Sequence, residues 1–156
     1  MKNLIALLVS VFLVSQAFAQ SPWRVESHTA LLTMKYPELP GKGVTLTIDW
    51  DPASKCKATI GVIVTTGNSL GTFKGSKRAS EEMTVSISKK IWKEPTMIAE
   101  YTGGVEALFY APPELIDAMR NSDFANIQIF KKSAIFIFPL AGASNVMDQA
   151  KSKCKV

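Results

Sequence analysis

The run Val44-Thr45-Leu46-Thr47-Ile48-Asp49-Trp50 alternates apolar and polar residues without a break, placing Val44, Leu46, Ile48 and Trp50 on one face of an extended chain and Thr45, Thr47 and Asp49 on the other. A period of two held this long marks a half-buried β-strand, one face on a core and one in water. Working outward, the pattern recurs. Toward the N-terminus, Trp23 to Ala30 reads as an opening strand that Leu31 to Tyr36 carries on to the breaker cluster Pro37-Glu38-Leu39-Pro40-Gly41. Toward the C-terminus, Asp51-Pro52 turns the chain, and Ala58 to Thr65 is an apolar, β-branched strand ending at Gly67-Asn68, so Cys56 stands at the start of a core strand.

Ser69 to Ser80, with Gly71, Gly75, Lys74, Lys77 and Arg78, is polar and glycine-rich and reads as a mobile loop. Met83, Val85 and Ile87 alternate with polar residues as a strand, which Ile91 and Trp92 extend past the lysines. Thr96–Tyr101 and Val105–Tyr110 flank Thr102-Gly103-Gly104, a predicted hairpin whose glycines supply the positive φ of a tight turn. At Ala111-Pro112-Pro113-Glu114 the period changes. Proline suits a first helical turn, and Leu115, Ile116 and Met119 form one stripe of a short helix to about Asn121. Phe124–Phe130 and Ala134–Phe138 read as a second hairpin over Lys131-Lys132-Ser133, and a last helix carries Ala143, Val146, Met147, Ala150 and Cys154 at spacings of three and four. Seven or eight strands and two short helices predict a mainly β chain, α+β in detail: an antiparallel β-sandwich or curled sheet with its last helix at the C-terminus.

Residues 1–19 pair Lys2 with the apolar run Leu4 to Val14 and close on Ala17-Phe18-Ala19, the layout of a secretory signal peptide cleaved after Ala19. The expected product is a periplasmic or secreted single domain, residues 20–156, without a transmembrane segment. Lys2 aside, seventeen Lys and Arg face thirteen Asp and Glu, a modest net +4 with no dense basic block. That balance suits ordinary solvated faces or an anionic envelope partner, and export argues against nucleic acid. Cys56 and Cys154 are the two cysteines, and in an oxidising compartment they are expected to form a disulfide closing a loop of about a hundred residues.

The tail Phe138-Pro139-Leu140, Gly142, Ser144 and the amphipathic helix closing on Cys154, with the helix from Pro112 to Asn121 and Trp23 near the start, resembles exported proteobacterial proteins of the invasion-associated locus B type. The resemblance covers the last third of the chain. It implies a β-rich, envelope-associated protein concerned with host interaction or stress rather than catalysis.

Catalytic motifs are thin. Gly67-Asn68-Ser69-Leu70-Gly71 matches the G-x-S-x-G nucleophile elbow, yet no helix is expected after it and the sole histidine, His28, precedes the serine. Asp49 with Asp51, or Glu81 with Glu82, offers carboxylates without a recognisable cleft. No HExxH, cysteine pair or calcium loop implies a metal, and no cofactor is implied. The expectation is therefore a non-enzymatic binding protein for a protein or anionic envelope component. Its candidate residues are Lys74, Lys77 and Arg78 in the loop, Lys90, Trp92 and Lys93 beyond it, and the hairpin at Gly103-Gly104. The alternatives are a periplasmic inhibitor or immunity protein that plugs an enzyme with a rigid loop, and a hydrolase using Ser69 and His28.

Overall fold

A computed structural model describes residues 22–35, 43–67 and 69–156. The export signal read in residues 1–19, the breaker cluster at 37–41 and Asn68 lie outside the described residues. The elements are β1 (Trp23–Glu26), β2 (Thr29–Lys35), β3 (Gly43–Trp50), a 3-10 turn (Pro52–Ser54), β4 (Ala58–Thr65), β5 (Phe73–Ile87), β6 (Lys90–Tyr101), β7 (Gly104–Tyr110), α1 (Pro113–Arg120), β8 (Phe124–Gln128), β9 (Ile135–Pro139) and α2 (Ala143–Lys153).

Among the described residues nine strands join one antiparallel sheet in the order β1-β2-β3-β4-β7-β6-β5-β8-β9, so of the two expected architectures these residues form the curled sheet and not the two-sheet sandwich. The alternation that opened the sequence reading holds residue by residue. Val44, Leu46, Ile48 and Trp50 are buried, while Thr45, Thr47 and Asp49 are half-buried on the outer face. Register carries this face across the sheet, because Ile48 pairs with Ile60 and Ile60 with Phe109, and Leu46 with Val62 and Val62 with Ala107. Cross-strand partners point the same way. The inner face is covered by the helices. α2 packs on β1, β2 and β3 through Ala143, Val146, Met147 and Ala150, and α1 adds Leu115, Ile116 and Met119 to the same core.

The ladder does not close into a barrel, but the curl brings its two ends together: the Trp23 indole N–H in β1 donates to the Pro139 carbonyl in β9 at 3.0 Å. The expected disulfide joins Cys56 and Cys154 across 98 residues, tying the end of α2 to the approach to β4.

Four local expectations are corrected. The stretch from Trp23 to Ala30 is a hairpin: Ser27 takes φ 53° and the chain reverses over Ser27-His28, so His28 lies in a turn. Similarly Ser88, at φ 54°, ends β5, and Ile91 and Trp92 belong to the returning strand β6. A serine in the left-handed region costs about 1 kcal/mol and bears no glycine-like signature in sequence. Ser69–Ser80 is mostly strand, since β5 begins at Phe73 and its first half is held by the ladder to β6 rather than by side-chain burial. Residues ahead of it are pinned as well: Gly103 N–H donates to the Leu70 carbonyl at 2.8 Å and Thr102 N–H to that of Thr72 at 2.9 Å. Finally, neither Gly103 nor Gly104 has a positive φ. Glycine is required there by close approach, since a Cβ on Gly103 would lie 2.5 Å from the Ser69 carbonyl oxygen.

Candidate functional site

The sheet contains a local opening where β5 parts from β8. Their ladder covers only Thr84 to Ser86, and β5 then bulges between Arg78 and Glu82. The bulge is anchored on its far side, where a Glu81 carboxylate oxygen accepts from the Lys131 N–H at 2.8 Å. Between the bulge and the β8–β9 hairpin lies a cavity of about 470 Å³. Its walls are the side chains of Ile98, Val105, Ala107, Ile129 and Phe130, with Lys77, Arg78 and Glu100 beside them.

Register explains the walls from β5, β6 and β7 that share the inner face. Lys77 pairs with Ile98, and Ile98 with Ala107, so the three share the inner face in one row. Val105 pairs with Glu100 in the next row. Val105 and Phe130 remain part-exposed at 39% and 38%, which makes this end of the core open rather than sealed. Lys77 Nζ meets Glu100 Oε1 at 2.6 Å. The hydrogen bond from Lys77 and its charge, with Lys74 adding a smaller pull, hold the Glu100 carboxyl below the ordinary carboxylate range. Lys74 and Arg78 form no salt bridge among the described residues. The cavity thus presents an apolar interior with the Lys77–Glu100 pair and Arg78 in its lining, while Lys74 lies outside the lining and acts on Glu100.

The second group of sequence candidates does not join this site. Lys90 opposes Ile87 at the hairpin end, Trp92 opposes Val85 and packs half-buried on the core, and Lys93 opposes Thr84 on the outer face. Trp92 precedes Met97, the partner of Arg78, by five residues of one strand, about 17 Å at the usual rise. The apolar walls were missed in sequence, although Ile129-Phe130, two apolar residues running past the alternation into Lys131-Lys132, marked an apolar surface beside a turn.

Ser69 and His28 are not brought together. Ser69 sits against Gly103 at the Thr65 end of β4, while the His28 carbonyl accepts from Trp50 N–H at the Ala58 end. The eight residues of β4 between them span about 23 Å. His28 instead places Nδ1 2.7 Å from Asp49 Oδ1, which also accepts from the Thr29 hydroxyl at 2.5 Å. On the same outer face Glu106 is pushed above the ordinary carboxylate range, mainly by burial and further by Asp49, against a lowering hydrogen bond from Tyr101. Among the described residues no three of His, Cys, Asp and Glu are grouped to hold a metal ion, and no helix is long and apolar enough to cross a membrane. Comparison with protein-family models, curated proteins and solved structures found no match to this chain.

Proposed function

We propose that this chain is a non-enzymatic binding protein of the bacterial envelope, periplasmic or secreted, that takes an anionic amphiphile at the opening between β5 and β8. The apolar body enters between Ile98, Val105 and Phe130, and the headgroup meets Lys77 and Arg78, with Lys74 adding its charge from outside the lining. The observation that carries this reading is an apolar cavity with Lys77 and Arg78 in its lining, Arg78 forming no salt bridge among the described residues. Burying apolar surface drives entry, while cations at the rim select charge and orientation. Export is supported by the layout of residues 1–19 and by the Cys56–Cys154 disulfide. On this reading the chain is an envelope protein of the invasion-associated locus B type, with a role in host interaction or stress. Inhibition of an enzyme by a projecting loop is not favoured, because Phe73–Ser80 is strand and Leu70 and Thr72 are bonded down onto the β6–β7 hairpin.

Co-sedimentation with phosphatidylglycerol and phosphatidylcholine vesicles tests it. The oxidised protein should pellet with the anionic vesicles, and Lys74→Glu/Arg78→Glu should lower that binding at least tenfold, each basic residue near such a surface contributing about 1 kcal/mol. Equal recovery on both vesicle types, or of both proteins, would overturn the reading.

A further inference from the structure

At the opposite end of the core, a cleft of about 590 Å³ opens between α1, α2 and the Trp50 end of the sheet. We infer that it is a second ligand site, built for a small aromatic carboxylate. Three observations support this. The first is its wall of flat and apolar groups: Trp50 is 2% exposed, Ile116 is 7% exposed, and Tyr110 stands 66% exposed at the rim. A ring entering the cleft stacks against the exposed face of Tyr110, over a floor that Trp50 and Ile116 keep apolar.

The second is the state of Arg120, which lines the cleft from the end of α1. Its Nη1 is held by Asp148 Oδ1 of α2 at 2.6 Å, and its side chain is only 22% exposed. The Nε of the same guanidinium is buried with no hydrogen-bond partner. A partly desolvated guanidinium with a missing acceptor gains more from an incoming carboxylate than a solvated one does.

The third is charge. The cleft is lined by Lys57, Arg120 and Lys151 against Asp117 and Asp148, and Asp148 is already engaged by Arg120. Lys57 and Lys151 thus face Asp117 alone, leaving an excess of positive charge. The disulfide forms part of the wall through Cys56, so the site belongs to the oxidised protein.

This cleft and the opening between β5 and β8 share no lining residue and are tested separately. The oxidised chain is titrated with 2-naphthoate by calorimetry, and amide shifts are followed by NMR. Saturable binding should appear below millimolar concentration, with shifts centred on Ala111, Ile116 and Lys57. 2-Naphthamide should bind at least tenfold more weakly, the loss expected for a charge-assisted pair. Arg120→Gln should weaken 2-naphthoate by a similar factor, and Tyr110→Ala, a change at an exposed side chain, by several-fold with an unchanged melting temperature. Lys77→Ala should leave the affinity untouched. The inference is overturned by equal affinity for acid and amide, by shifts centred on Phe130 and Val105, by binding that never saturates, or by a Tyr110→Ala protein that binds as the parent does.

Discussion

Trp23 and Pro139 lie 116 residues apart, in the first and last strands of a nine-strand order, yet the Trp23 indole N–H donates to the Pro139 carbonyl at 3.0 Å. The bond joins the two ends of a sheet whose ladder stays open. Trp23 is 5% exposed, so the indole both fills the core and latches the curl.

Replacing Trp23 by Phe should keep most of the apolar contact and leave the Pro139 carbonyl short of a donor, lowering stability by about 1–2 kcal/mol. Trp23→Ala should cost about 3–5 kcal/mol through the added cavity. Urea denaturation reads both. A phenylalanine variant as stable as the parent would show that the latch contributes nothing.

The disulfide closes a loop of 98 residues, for which chain entropy implies about 4–5 kcal/mol, less any strain. Cys56→Ala/Cys154→Ala should therefore unfold at markedly lower denaturant, about 2–5 kcal/mol less stable, with α2 losing amide protection first. Non-reducing mass spectrometry of the exported protein should show no free thiol, and two free thiols would refute the bond.

Glu106 carries a pH signature. Burial raises its carboxyl in the folded state, so the folded protein binds that proton more tightly than the unfolded chain does. Its contribution is most favourable below the unfolded-state value and is lost as pH rises through the raised folded one. Glu106→Gln keeps an acceptor for the Tyr101 hydroxyl, which lies 3.4 Å from Oε2, and removes the buried charge. The variant should be more stable than the parent at pH 7, with the gap shrinking on acidification toward pH 4. A constant gap, or one that widens in acid, would contradict the assignment.

The opening between β5 and β8 distinguishes amphiphile from polyanion. Val105→Asp places a charge on its apolar wall at a part-exposed position. Binding to phosphatidylglycerol vesicles should fall at least tenfold while any binding of dextran sulfate changes little. Equal loss for both would assign the site to charge alone.

At the hairpin between β6 and β7, Gly103→Ala puts a methyl against the Ser69 and Leu70 carbonyl oxygens, 2.5 and 3.0 Å from the added carbon. The backbone must shift, and a loss of about 1–3 kcal/mol is expected, with hydrogen-exchange protection falling at Gly103. An alanine variant with parental stability and protection would show that this approach is not tight.

The sequence by itself determined the faces of the regularly alternating strands, both helices, the mainly β class and the cysteine pair. Those features rest on local periodicity and on the count of cysteines, as with Val44–Trp50 and the stripe from Ala143 to Ala150. Tertiary structure decided what local pattern does not encode. Ser27 and Ser88 reverse the chain in a conformation that serine rarely takes, stabilised only by the ladders on either side. Phe73–Ser80 is a strand because β6 lies beside it, although its own side chains alternate in no useful way. The two candidate clefts likewise join residues from distant segments: Lys77 of β5 and Phe130 beyond β8 line one of them, and Arg120 of α1, Trp50 of β3 and Cys56 of the disulfide line the other. Long-range pairing and curl create those surfaces, and neither has a period that can be read along the chain.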